Sequence, residues 1–510
     1  MQFLLRFVAV LFLLLVALAG FAYVYLQDAE RLKPEVAALI SEQTQTTVSL
    51  NGPMQWALFP PLTLKLEDVI VIDDNNTLRA GSVSLKMDLS GLWQDVNRWR
   101  VTDLTINEGQ LDTATAQINI DTLTLTDFAL GEPATLSTQL NYQNIIDAEA
   151  KPVSATLTGN LTYFDAGGSS GRKIAFDQLD IDSNLGRGVC SGEVKDNAAI
   201  PAQIPLDTSD DLIPVATLLQ YTVIADCKAA SLIAGEESLE NVDLKLTNVD
   251  GFSNAYVEIA DFLGGSAMIE ADVDLTRQPI AWVIRPEIEN VDTQRLLAWR
   301  NQSIDWAALF TLDGNVEFTG NSMEEVYQTI NSEQNINGTE GLLDISLLKQ
   351  QLLSIAALAG RDGTIANWPE RWQYQNLTGR WLTEGQAQTF NLAMDNISID
   401  GNGTMDYAAE TIDILANVTI SAPPENSTLR VNDLLEGTPL PIRCTGATAD
   451  VKCRLDNKAT QTLIARALQG DDDTGLRRKI EDKIEEKVPE EFRDTARSLL
   501  DILGRALDDN

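Results

Sequence analysis

A few short patterns in this 510-residue chain carry residue types that could do chemistry. Ser346-Leu347-Leu348-Lys349 has the S-x-x-K spacing that sets a serine nucleophile one helical turn from a lysine, but no K-T-G or S-D-N accompanies it and the two leucines read as helix core. Asp180, Asp182 and Asn184 open like a calcium loop, yet Leu185 stands where such a loop needs glycine and Ser191 where it needs a bidentate glutamate. Gly401-Asn402-Gly403 could approach a phosphate only at the start of a helix; set among strand-like residues, it reads as a turn. Carboxylate pairs are too common among 75 Asp and Glu to mark a glycosidase. No histidine is present, which removes the usual base near neutral pH, the Ser-His-Asp triad and the commonest metal ligand. The expectation is a protein that is not an enzyme and uses no cofactor or metal.

With reactive groups set aside, charge and cysteine usage bound the environment. Against the 75 acidic residues stand 37 Lys and Arg, a net charge of −38, which repels nucleic acid phosphates and excludes that partner. The four cysteines fall into two local pairs: Cys190 with Cys227 around a Pro-rich stretch, and Cys444 with Cys453 across a short hairpin. Outside the cytoplasm they are expected as disulfides; buried thiols in a reducing compartment are the open alternative.

Residues 7–26 carry no charge and at about 1.5 Å per residue reach about 30 Å, the thickness of a hydrocarbon core. A single-pass anchor is expected, with Tyr23 and Tyr25 at one interface. A signal peptide cleaved after Ala19 is the alternative, against which the length of the apolar run counts. Arg6 on one side and Arg31 and Lys33 on the other leave the orientation bias weak.

Beyond the span, Leu32, Val36, Leu39 and Ile40 lie on one helical face ending near Glu42. From Thr46 the apolar period becomes two. Leu62, Leu64 and Leu66, then Val83, Leu85, Met87 and Leu89, then Leu104 and Ile106 alternate with polar residues, and the pattern returns at Val242, Leu244 and Leu246 and at Ile397 and Ile399. Residues 66–89 and 239–275 share a loose internal similarity without a fixed period. Helical spacing reappears at 347–358, at 463–468, and in a tail at 476–507 broken by Pro489. The fold class is mainly β with some α: an N-terminal transmembrane helix, then an elongated antiparallel β-sheet with capping amphipathic helices. The expected divisions are an anchor at 1–27, β regions at 28–125, 126–340 and 341–457, and C-terminal helices at 458–510.

The run TVSLNGPMQWALFPPLTLKLEDV at 47–69, following a membrane helix and an amphipathic helix, resembles the opening signature of the AsmA family of bacterial envelope proteins. Further similarity lies at 83–92, in VTDLTINEGQL at 101–111, at 341–348 and 390–420, and in GTPLPIRCTG at 437–446. It is weak between about 130 and 230, and Gln45 replaces a glycine common in the family. The resemblance implies an inner-membrane anchor, a periplasmic domain and a taco-shaped β groove carrying phospholipid between inner and outer membranes. The fourteen alternating apolar residues named above, Leu62 through Ile399, are then candidates to line that groove. Independently of the family, a groove lined by every second residue suits a long alternating chain poor in covering helices; closed β cores are the alternative. A second functional reading is an assembly or scaffold factor with outer-membrane or envelope proteins as partners.

Overall fold

The computed structural model describes residues 29–44, 47–57, 62–73, 76–88, 100–113, 116–144, 151–165, 172–197, 208, 210–235, 237–299, 305–346, 348–350, 352–353, 363–422, 429–431 and 436–456, with short helical pieces at 481–482, 484–486 and 493. The expected anchor, the 463–468 helix and most of the tail lie outside these residues. No helix among the described residues is long and apolar enough to cross a membrane.

The described chain is mainly β, with 23 strands in one antiparallel sheet and few helices. It divides into two compact units: Met1–Ser209 with Pro214–Leu232 and Leu244–Asp250, and Asp210–Ile213 with Ile233–Asp243 and Gly251–Asn510. The expected limits at 125/126 and 340/341 fall within the strands at 116–129 and 331–344.

The first unit begins with helix α1 (Ala29–Thr44) and continues through β1 (Thr47–Leu50), β2 (Met54–Ala57), β3 (Leu62–Asp73), β4 (Asn76–Asp88), β5 (Arg100–Asp112), β6 (Ala116–Ala129), β7 (Pro133–Asn144), β8 (Val153–Asp165), β9 (Arg172–Ser183) and β10 (Gly186–Asp196). After the short helix α2 (Val215–Gln220), β11 (Tyr221–Ala234) returns beside β10; the unit boundary runs through the end of β11 and through β12 (Glu237–Val249). β1 and β2 both pair with β3, and from β3 to β11 each strand pairs with the next. Leu32 and Val36 of α1 pack on Met54, Leu66, Val69 and Ala80. Polar contacts fix that docking: the Glu30 carboxylate accepts the Met54 N–H at 2.7 Å, and the Lys33 ammonium donates to the Gly52 carbonyl.

The second unit carries β13 (Phe252–Phe262), β14 (Gly265–Asp274), β15 (Ala281–Asp292), helix α3 (Thr293–Trp299), β16 (Trp306–Thr319), helix α4 (Met323–Thr329) and β17 (Asn331–Asp344). Helical residues within 346–353 and helix α5 (Gly363–Ala366) precede β18 (Arg371–Glu384), β19 (Ala387–Met394), β20 (Ile397–Asp406), β21 (Thr411–Ile420), β22 (Leu440–Ala447) and β23 (Lys452–Leu455). Helix α4 starts sharply because Ser322 and Glu325 form a reciprocal capping box that satisfies two otherwise unpaired N–H groups.

Left-handed residues punctuate these long strands. In Leu66-Glu67-Asp68-Val69 the residue Asp68 has φ 49°, and Leu66 and Val69 lie in the same buried cluster although three positions apart. Left-handed residues recur at Glu108, Gln178, Asn241, Asn290 and Glu340, all with φ between 49° and 53°, and the strand register shifts beside Gln178, Asn290 and Glu340. Three of the six are Asp or Asn, whose short side chains tolerate this left-handed conformation better than β-branched ones, and none of the six is β-branched. Residues 66–89 and 239–275 share one local feature: each has a left-handed residue near its start, Asp68 and Asn241.

Gly401-Asn402-Gly403 is not a turn. It lies inside β20, where a Cβ at Gly401 would come within 2.1 Å of the Phe390 ring, so the glycine makes room for an aromatic of the neighbouring strand.

Candidate functional site

Strand register sorts the residues by chemistry. In the first unit Leu64, Leu85, Leu104, Leu125 and Leu136 stand opposite one another on β3 to β7, while Lys65, Ser84, Thr105, Thr124 and Ser137 stand opposite one another one position along. Neighbouring side chains point to opposite faces, so one face is apolar and the other polar. In the second unit Ile288, Leu312, Ile336, Gly379, Leu392, Ile399 and Val418 form an apolar row from β15 to β21. The row beside it reads Glu287, Asp313, Asn335, Arg380, Asn391, Asp400 and Asn417.

The polar faces are held by cross-strand ion pairs. Lys86 lies 3.7 Å from Asp103, Arg285 2.7 Å from Asp272, and Arg443 takes Asp413 in a two-point contact at 2.8 and 2.6 Å. The Asn254 amide and the Arg285 guanidinium hold the Asp272 carboxyl below the usual carboxylate range, and Arg443 does the same to Asp413.

The apolar face is unevenly covered. From β4 to β10 the buried apolar side chains among the described residues are Ala80, Ala116, Ala129, Ala134 and Cys190, so every larger described one there stays in contact with solvent. Leu62, Leu64, Val83, Leu85, Met87, Leu104 and Ile106 are all half-buried, and Leu66 is buried beneath α1. Val242 is buried, Leu246 half-buried, and Leu244 is 37% exposed. Leu89 lies outside the described residues. Ile399 is half-buried, but Ile397 is 2% exposed in a closed core with Trp372, Tyr374 and Ile420, covered by side chains from outside the sheet.

Sequence reasoning missed much of this face. Leu136, Leu157, Leu161, Phe176, Leu179 and Ile181 continue it across β7 to β9. The signal was an apolar step of three at Phe176-Asp177-Gln178-Leu179, where a strict period of two loses the face at the bulge.

The patterns first examined for chemistry are committed elsewhere. The Ser346 hydroxyl donates to the Asp344 carboxylate, and the Lys349 ammonium reaches the Trp368 carbonyl. Asp182 pairs with Arg187 at 2.8 Å, while Asn184 bonds the Pro152 carbonyl and the Ser154 N–H. Both expected disulfides are formed, each joining directly opposed residues of adjacent strands, Cys190–Cys227 on β10 and β11 and Cys444–Cys453 on β22 and β23.

Fold and register define a class of protein: an antiparallel β-sheet protein with one solvated polar face and one apolar face that the described helices cover only in part. The family model described as the AsmA family matches residues 3–127, so this first quarter of the chain is similar to that family, in line with the resemblance carried by residues 47–69. No curated protein and no solved structure matches the chain.

Proposed function

We propose that this is a non-enzymatic lipid-transfer protein of the cell envelope, anchored by residues 7–26 in the inner membrane with the bulk of the chain in the periplasm, where phospholipid acyl chains lie along the apolar face on the way between inner and outer membranes. One observation carries the reading: a face of leucine and isoleucine rows continues from strand to strand yet leaves its large side chains half-exposed. Apolar area left in water is unfavourable by about 25 cal/mol per Å², and each acyl CH₂ laid against it contributes about 0.8 kcal/mol, so affinity needs no polar recognition site. Two disulfides suit an oxidising compartment such as the periplasm, and the family matched at 3–127 supports the same setting.

The test is mass spectrometry of the full chain extracted in mild detergent. Phospholipid co-purifying in stoichiometric amounts, displaced by competing acyl chains, is the expected result. A lipid-free protein that also fails to take up phospholipid from vesicles would overturn the proposal.

A further inference from the structure

Within the second unit the apolar face changes character partway along. On β13 to β16 its middle residues, among them Val257, Ile269, Ile284 and Leu312, are half-buried. On β18 to β22 much of the same face is closed: Trp372 is 1% exposed, Tyr374 and Ile420 are 0% exposed, and Leu392 and Ile399 stay half-buried. Nothing in the alternation of the sheet residues accounts for the difference, since the row Ile288, Leu312, Ile336, Leu392, Ile399 and Val418 runs through both parts. The closure comes from side chains that do not belong to the sheet. Leu352, Ile365 and Trp368 from the β17–β18 connection and Leu429 from the β21–β22 connection insert among Trp372, Tyr374, Ile397 and Ile420.

Polar contacts hold these side chains in place. The Trp368 indole N–H donates to the Arg430 carbonyl at 2.8 Å, tying one connection to the other, and the Lys349 ammonium reaches back to the Trp368 carbonyl. The Asn396 amide, in the β19–β20 turn, donates to the carbonyls of Leu429 and Ser421, fixing the second connection to the sheet. Beneath them the Trp306 indole N–H donates to the Tyr374 hydroxyl at 2.7 Å. Each of these N–H donors has a partner inside the cover, as a closed core requires.

We infer that these connections form a built-in stop: their aliphatic and aromatic side chains occupy the place that acyl chains take elsewhere on the face, so that hydrophobic cargo on the second unit ends before β18. The inference rests on the lipid-transfer reading and adds an end point to the path. Cargo is therefore taken up or released from the open part of the face, and not by passing over the C-terminal strands.

A photo-crosslinking side chain placed singly at Ile284, Ile399 or Ile397 of the full chain, exposed to phosphatidylethanolamine–phosphatidylglycerol vesicles carrying radiolabelled lipid, tests this. Lipid adducts are expected at Ile284, while Ile397 should yield an intrachain adduct to a peptide containing Leu352, Ile365, Trp368 or Leu429. Ile399, half-buried at the margin of the cluster, is the second position should substitution of Ile397 impair folding, and it too should capture lipid at most a tenth as well as Ile284. Lipid captured at Ile397 or Ile399 as efficiently as at Ile284 would overturn the stop while leaving lipid transfer intact. Absence of lipid at all three positions in folded protein would overturn lipid transfer, and the stop with it.

Discussion

At the scale of single residues, the fold depends on close approaches that only particular side chains permit. A Cβ on Gly341 would lie 1.8 Å from the Tyr374 ring, which is fully buried beneath the C-terminal cover. Gly341→Ala should therefore destabilise the protein by about 1–3 kcal/mol through overpacking, read as a lower denaturant midpoint. Glu30 makes a pH-dependent contribution. Its pKa is lowered chiefly because its carboxylate accepts the Met54 N–H, with help from Lys33 against the opposing cost of burial. A folded-state pKa below the unfolded value means that this contribution is present above the ordinary glutamate pKa of about 4.3 and is lost as pH falls through the lowered value. Acid titration of hydrogen exchange in α1 should show docking weaken below about pH 4, and Glu30→Gln should flatten that dependence. Labelling of denatured, unreduced protein should find no free thiol, since all four cysteines are bonded. Their pairing was legible in sequence because each pair is close along the chain. The roles of Gly341 and Gly401 were not, because the aromatic ring that each accommodates belongs to another strand.

At the scale of elements, alternation made the strands legible, and Leu62–Leu64–Leu66 and Val83–Leu85–Met87 face the same way as expected. Left-handed residues within strands were the missing term. A reading in strict steps of two places Val69 on the polar face, whereas the left-handed residue Asp68 precedes it and Val69 lies in the buried cluster with Leu66. Asp68→Val should cost about 1–2 kcal/mol more than Asp68→Gly, because a β-branched residue is strained at positive φ and glycine is not. Thermal unfolding of the two variants gives the comparison; equal melting temperatures would show that the left-handed conformation is not what selects the residue. Helix α1 was predictable from Leu32 and Val36, and its packing on Leu66 and Val69 follows from those apolar positions. The cover over β18 to β22 was not, since nothing in the local pattern of Leu352 or Trp368 says which surface they will meet.

At the scale of the whole molecule, the charge of −38 is carried by a chain whose described strands segregate acids and amides to one face and aliphatic residues to the other. Such segregation keeps a long sheet soluble on one side and leaves the other available to hydrocarbon. Leu85→Asp should leave far-ultraviolet circular dichroism nearly unchanged, because the site is half-exposed, yet reduce lipid transfer, since a dry ionised carboxylate in the acyl path costs several kcal/mol. The most direct measurement uses the two-residue period itself. A photo-crosslinking side chain is placed in turn at Leu85, Leu104 and Leu125, and at Ser84, Thr105 and Thr124, which lie beside them on the opposite face. With the full chain exposed to phospholipid vesicles, adducts should form at the three leucine positions and be absent from the three polar ones. Adducts in equal yield on both faces, or none at any of the six positions in folded protein, would contradict a lipid path along the apolar face.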